Sequence, residues 1–440
     1  MKRILIFTAV AVLLALAGCP GNGPTEQREV KIGAVLSLTG RYSEYGESIR
    51  RGMELAREMI NTPDEDGLSG VGGRDFVITY EDSGSTPEGA AAAMSELVRD
   101  GAEIIVGAET SNLTEAMIPI SAANGVMLIS PSASSPGLRS GNGDEFFFRI
   151  CPTDESDAGS IAAEVRRARA SFPFLKRPYM RVLVLVRRDN IYSEGLWRAF
   201  YVELQRSHLR YEDPIYFSEE LLQAEPGEQG EYNEQMLEIL SRARGFMPGD
   251  DLSNRGAVVI FGFADDVETL MRAFKREGLV GAEPFQSEYL QLYASASVDT
   301  AEFFHNAADV AEGLVFTRIF DPTDDENPLV QRFVSAFRRS YGGEPDLYAA
   351  YGYDTAMLLA LTLRRESAAD ALDDPRNFRI EMNAVRFDGL TGRVDFRQSN
   401  NEVVKSFDPY RMMEGGRAML LTEYEAMVLR ERREEMQHRQ

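Results

Sequence analysis

The chain has 440 residues, enough for two domains of ordinary size, each with its own core. Its 70 acidic residues outweigh 47 basic ones, and the resulting formal charge of −23 repels phosphate backbones and anionic lipid heads, which argues against nucleic-acid binding. Two cysteines and three histidines leave little material for disulfides, thiol catalysis or metal ligation.

Lys2 and Arg3 precede an apolar run from Ile4 to Leu16, closed by Ala17-Gly18-Cys19. Such a run is a secretory leader core, too short to remain as a membrane span. With Cys19 directly after Ala-Gly, the segment resembles the lipobox of bacterial lipoproteins. The resemblance implies removal of residues 1–18, acylation of Cys19, and work in the cell envelope, lipid-anchored to a membrane and facing the periplasm or exterior. Residues 19–29 are polar, with Pro and Gly, and are expected to form a tether. With Cys19 acylated, Cys151 has no partner for an intrachain disulfide. It follows the strand-like Phe146–Ile150 and is expected to act as a small buried hydrophobe.

Lys31–Leu36 is a short apolar strand, then a turn at Thr39-Gly40 and a helix with Ile49, Met53, Ala56 and Ile60 on one face. A strand is expected at Phe76–Tyr80. Thr86-Pro87-Glu88 starts a helix with a capping hydroxyl, a first-turn proline and an acid near the positive helix end. Ile104–Val106 and Val126–Ile129 are strands separated by a helix, and Val182–Val186 and Val258–Phe261 repeat the pattern later. Near-continuous apolar strands alternating with amphipathic helices give an α/β fold of parallel sheets covered on both faces, in two lobes divided near Pro152. Gln223–Gly230 and Gly245–Gly256 are polar surface loops. Arg430–Gln440 is mixed-charge and reads as a solvated tail.

Ligands of open α/β sheets bind beyond the carboxyl ends of the strands. Two ends stand out: Val106-Gly107 leads into Glu109-Thr110-Ser111, and Ile129-Ser130 leads into Ser132-Ala133-Ser134. Hydroxyls beside the unpaired N–H groups of a helix start make a cradle for a carboxylate or small anion. The same hydroxyls serve equally well as caps of turns. Enzyme signatures are missing: there is no Gly-x-Ser-x-Gly elbow, Walker loop or His-Glu-x-x-His pair. Gly67–Gly73 is Gly-rich but precedes a strand, so it is a turn. No cofactor or metal is expected, and the protein is not expected to be an enzyme.

Lys31–Gly40 with Tyr45-Gly46 and the Gly52 helix resembles the start of the branched-chain amino-acid-binding proteins, the type I periplasmic solute-binding family of ABC importers. Glu81-Asp82, Val106-Gly107, Ser130-Pro131, Phe148-Arg149, Pro152-Thr153-Asp154, Glu312-Gly313, Tyr348–Asp354 and Phe387–Gly392 follow in the family's order and spacing. The resemblance implies two Rossmann-like lobes joined by a three-segment hinge that closes on a ligand. The crossings would lie near Pro152, Ile319 and Phe387. Residues 30–152 and 320–387 would form the N-terminal lobe, 153–319 and 388–425 the C-terminal lobe, and 426–440 a charged tail.

By the same resemblance, Ser111 and Ser134 hold the ligand's α-carboxylate, and the Ser132 carbonyl and Glu288 take the α-ammonium. Tyr192 reaches over the ligand from the second lobe. Tyr45, Glu109 and Tyr348 line the side-chain pocket. This chain departs from the family at two places. Gly262-Phe263-Ala264 displaces an aromatic by one residue, and Glu109 stands where leucine-type binders place an apolar group, which favours a polar or cationic solute. The function implied is a receptor for an amino acid or similar carboxylate-bearing solute that delivers it to an ABC permease in the membrane. The alternative is an interaction or sensor lipoprotein of the same fold, such as a peptidoglycan-synthase activator.

Overall fold

Ile32–Leu36 is apolar at almost every position, and such a strand is stable only inside a sheet covered on both faces. The computed structural model describes residues 31–438 apart from 64–69, 72–73, 140–143, 171–180, 208–209, 221–231, 248–255, 282–289, 366–374 and 399–400. Residues 1–30, with the leader and Cys19, lie outside the described residues, as do Gln223–Gly230, Glu288 and most of the Gly67–Gly73 and Gly245–Gly256 segments.

In the first lobe, β1 (Ile32–Leu36) is buried along its whole length between β2 (Ile78–Asp82) and β3 (Ile104–Gly107). β4 (Met127–Ser130) and β5 (Phe147–Arg149) continue the sheet, and every pairing is parallel. The strand expected from Phe76 begins two residues later. The Asn61 side chain accepts the Phe76 N–H at 2.8 Å and donates to its carbonyl at 3.0 Å, holding the backbone outside the ladder.

Helices α1 (Ser43–Asn61), α2 (Pro87–Arg99) and α3 (Ser111–Asn124) join these strands. Helix α2 starts as its sequence dictates: the Thr86 hydroxyl accepts the Gly89 N–H at 3.0 Å and Pro87 opens the first turn.

The second lobe begins with α4 (Asp154–Ala170), β6 (Arg181–Arg187), α5 (Ile191–Ser207), β7 (Arg210–Tyr211) and β8 (Ile215–Phe217). It continues through α6 (Glu234–Arg244), β9 (Gly256–Phe261), α7 (Ala264–Arg276), β10 (Gln291–Ala294), α8 (Ala301–Asn306) and β11 (Val315–Arg318). Strands β6, β9, β10 and β11 form a parallel centre with core residues on both faces.

After β11 the chain returns to the first lobe as α9 (Pro328–Tyr341), α10 (Leu347–Leu363) and α11 (Pro375–Ala384). Helix α10 is buried nearly all round and crosses α1 at close range. A Cβ on Gly52 would lie 1.9 Å from the Ala349 carbonyl oxygen, and one on Gly352 would lie 2.1 Å from that of Ile49. Only glycine permits this approach, and the pair brings Tyr45 and Tyr348 together.

The third passage follows α11. The hairpin β12 (Arg386–Gly389) and β13 (Gly392–Asp395) stays on the first lobe. Asp354 of α10 accepts the Leu390 and Thr391 N–H groups at 2.8 and 2.9 Å, and Phe396 meets Phe148 edge-on at 5.2 Å. The chain joins the second sheet only at β14 (Asp408–Met413), which pairs antiparallel with β11 and with β15 (Arg417–Leu420). Helix α12 (Leu421–His438) buries Leu421 and Tyr424 and packs Met427 and Val428 on the second core, because apolar residues recur at helical spacing. Among the described residues no helix is long and apolar enough to cross a membrane.

Candidate functional site

The carboxyl ends of β1, β3 and β4 meet at one edge of the first lobe, and their loops are laced together by hydroxyls. Ser130 Oγ donates to the Ala108 carbonyl at 2.7 Å and accepts the Ala133 N–H at 2.9 Å. Ser132 Oγ donates to the Glu109 carbonyl at 2.8 Å, and Ser111 Oγ accepts the Ser135 N–H at 3.2 Å. Behind the loop, the buried Arg149 donates to the carbonyls of Ala133 and Ser135 at 3.2 and 2.8 Å and pairs with Glu402. The residues flanking Ser134 are therefore fixed by the chain's own passage between lobes.

The second lobe brings Tyr192 from the start of α5, Phe263 from the residue before α7, and Ser295–Ser297 from beyond β10. Tyr192 donates to Ser295 Oγ at 3.0 Å and stacks on Phe263, with ring centroids 5.7 Å apart. Tyr45 crosses the cleft from α1. Its hydroxyl accepts the Ala264 N–H at 2.9 Å and donates to the Ser297 carbonyl at 3.3 Å, while its ring meets the Tyr348 edge at 4.7 Å. Arg41 bridges to Asp265 at 2.7 and 2.9 Å and to Asp266 at 3.0 Å. Asn112 accepts the Ile191 N–H at 3.0 Å. With so many bonds across it, the cleft is closed.

Among the described residues, two small cavities lie where the strand ends of the lobes meet. One, of about 30 Å³, is bordered by Ser132, Ser134, Cys151, Asp157, Tyr192, Ser297, Tyr348 and Tyr351 among others. The other, of about 20 Å³, is bordered by Tyr45, Glu109, Thr110, Ser111, Ser132, Tyr192, Phe263 and Tyr348. Each has room for only one or two waters, so a solute of amino-acid size enters only when the lobes part. The structure thus brings together Ser111, Ser132, Ser134 and Tyr192 with Tyr45, Glu109 and Tyr348. Glu288 falls outside the described residues. Phe263, displaced by one in the sequence, also borders the cavity.

Glu109 is buried, and its carboxylate accepts from the Ser37 hydroxyl at 2.5 Å and the Ser37 N–H at 3.2 Å. Burial pushes its pKa up to about 6 against the lowering effect of the Ser37 bonds. Asp157 accepts from the Thr317 hydroxyl at 2.5 Å and the Ala296 N–H at 3.0 Å, and burial raises it to about 6 as well. Cys151 is a buried free thiol raised by burial to about 12, which makes it a poor nucleophile.

Thr110 and Asp157 were not singled out by the sequence. Thr110 precedes α3 but its side chain caps nothing, and its buried hydroxyl has no hydrogen-bond partner. Asp157 is hidden among the other acids opening α4.

Two sheet lobes, three passages between them and strand ends meeting across a closed cleft define a hinged two-lobed binding protein of the type I periplasmic class. The chain belongs to the periplasmic binding protein family, whose sequence profile matches residues 29–210 and 251–417. It is similar to a Leu/Ile/Val-binding protein homolog of Brucella melitensis, 27% identical over 187 residues, covering 42% of this chain and 47% of that relative. In that alignment the chain spans about half the relative's length.

Among solved structures it resembles a branched-chain amino acid transporter substrate-binding protein of Streptococcus pneumoniae in complex with isoleucine. The TM-score is 0.69 at 22% identity, over 89% of this chain and 98% of that one. A Rhodopseudomonas palustris ABC transporter solute-binding protein in complex with benzoate gives a TM-score of 0.71 at 18% identity, over 90% and 96%. These two share the fold.

Proposed function

We propose that the protein is the solute receptor of an ABC importer, anchored outside the cytoplasm by lipid on Cys19. It captures an amino acid or similar carboxylate-bearing solute by hinge closure and presents it to a permease. The observation that carries this reading is the convergence of Ser111, Ser132 and Ser134 with Tyr192 and Phe263 from the opposite lobe on one closed cleft. The start of α3 beside Ser111 supplies N–H groups and partial positive charge for a carboxylate. That the two structural neighbours were solved with isoleucine and benzoate, both carboxylates, fits such a cradle.

The mechanism is differential affinity. A solute touching both lobes only when they are closed draws the population to that form.

A thermal-shift screen of protein stripped of carried-over solute tests the reading. At a hundred times Kd a ligand stabilises by about 2.7 kcal/mol. With an unfolding entropy of about 2.1 cal/mol/K per residue, that raises Tm by about 3 °C in a chain of this size. The shift should be lost in Ser111→Ala and Ser134→Ala. No shift with any amino acid or small carboxylate would refute the proposal.

A further inference from the structure

If the cleft is the solute site proposed above, its charge is unbalanced. Two acids border the cavities, Glu109 at 3% and Asp157 at 4% relative exposure, and none of the described bordering residues is Lys, Arg or His. An α-amino acid brings one carboxylate, for the hydroxyls and helix start at Ser111 and Ser134, and one ammonium. Asp157 borders the same cavity as Ser132 and Ser134, so the ammonium falls to it. Glu109 is left over at the other cavity.

That second cavity is walled by rings. Tyr45 meets Tyr348 at 4.7 Å and Phe263 at 6.0 Å, and Tyr192 stacks on Phe263. Thr110 borders it too, 6% exposed, with its hydroxyl unpartnered. A carboxylate and aromatic rings bordering one cavity supply the elements of a cation site, in which a ring face contributes through its quadrupole. The Ser37 hydroxyl and N–H donate to one Glu109 oxygen each, and a carboxylate oxygen can accept more than one hydrogen bond. An aliphatic side chain here would strand that carboxylate against hydrocarbon.

We propose that the solute is an α-amino acid whose side chain ends in an ammonium or guanidinium, paired with Glu109 within the cage of Tyr45, Tyr192, Phe263 and Tyr348. The Thr110 hydroxyl accepts a further N–H from the same group.

Calorimetric titration of the stripped protein with L-lysine against L-norleucine, and with L-arginine against L-citrulline, separates charge from shape. At pH 8 each cationic solute should bind at least about tenfold tighter than its neutral partner, as expected when a desolvated carboxylate gains a charge-assisted bond. Glu109→Gln should bring both ratios near one. If that variant does not fold, the wild-type ratios at pH 5 replace it. They should fall, because a protonated Glu109 no longer favours a cation, whereas protonation of Asp157 affects both members of each pair alike. Norleucine binding as tightly as lysine, or ratios that survive the substitution, overturns the charge assignment and leaves the receptor reading standing. Binding of none of the four, with a shift by another carboxylate, does the same. No response to any solute overturns both.

Discussion

Arg41 holds the lobes together without bordering either cavity, so its removal tests closure as the source of affinity. Its guanidinium, 15% exposed, makes two bonds to Asp265 and one to Asp266 across the cleft, and lies over the Tyr42 and Phe263 rings at 5.6 and 5.7 Å. In Arg41→Ala, Asp265 regains water, and Asp266 keeps Arg187 at 2.7 Å and the Phe263 N–H at 3.0 Å. No fully orphaned charge results, so the loss sits near the low end for charge-assisted bonds, about 2 kcal/mol. Borne by the closed form alone, this lowers its population relative to the open form by about thirtyfold.

Small-angle scattering should show a larger radius of gyration for the ligand-free variant, returning to the wild-type value with saturating solute. Titration should show affinity weakened by up to the same factor, because a solute that binds the closed form is penalised by that form's scarcity. An unchanged radius together with affinity within twofold of wild type would refute the latch and the closure mechanism built on it.

Two further outcomes follow from packing and burial. Gly352→Ala places a methyl 2.1 Å from a backbone oxygen, so overpacking of about 1–3 kcal/mol should outweigh the better helix propensity of alanine and lower the urea midpoint; a higher midpoint would show that α1 and α10 do not meet so closely. Glu109 has a folded-state pKa raised by burial to about 6, above its unfolded value, so its contribution to stability is full below the unfolded pKa and is lost as pH rises through 6. Melting curves of ligand-free Glu109→Gln should therefore gain on wild type between pH 4.5 and pH 7.5, and a difference independent of pH would contradict the burial of an ionisable carboxyl there.

The sheets were legible because strands buried on both faces are apolar at consecutive positions, as in Val182–Val186 and Val258–Phe261, and that pattern survives without knowledge of neighbours. Residues 386–407 were not. Their hairpin looks locally like any polar turn, and contacts distant in sequence, with Asp354 more than thirty residues earlier and from Phe396 to Phe148, hold this stretch to the first lobe. The cradle hydroxyls could be read from their place after strand ends. The bond from Ser37 to Glu109 joins residues 72 apart, and no local pattern announces it. Thr110 misleads for a different reason: a threonine before a helix is ordinarily its cap, and here the hydroxyl is left free.

Phe263 shows how a departure from a family pattern can be absorbed. The residue before α7 would ordinarily be a hydroxyl or amide cap, and phenylalanine has none to offer. Asp266, one turn into the helix and fully buried, accepts the Phe263 N–H instead and so fixes that backbone while the ring borders the cavity. The same carboxylate pairs with Arg187 inside its lobe and with Arg41 across the cleft. One buried acid thus ties a cavity wall to the contact that closes the lobes. Parting Arg41 from Asp266 removes a charge that helps hold Asp266 ionised against burial, so opening weakens the group that orients Phe263. Closure and the placement of the aromatic wall are therefore coupled through Asp266, and Asp266→Asn should perturb both together where Arg41→Ala perturbs mainly the first.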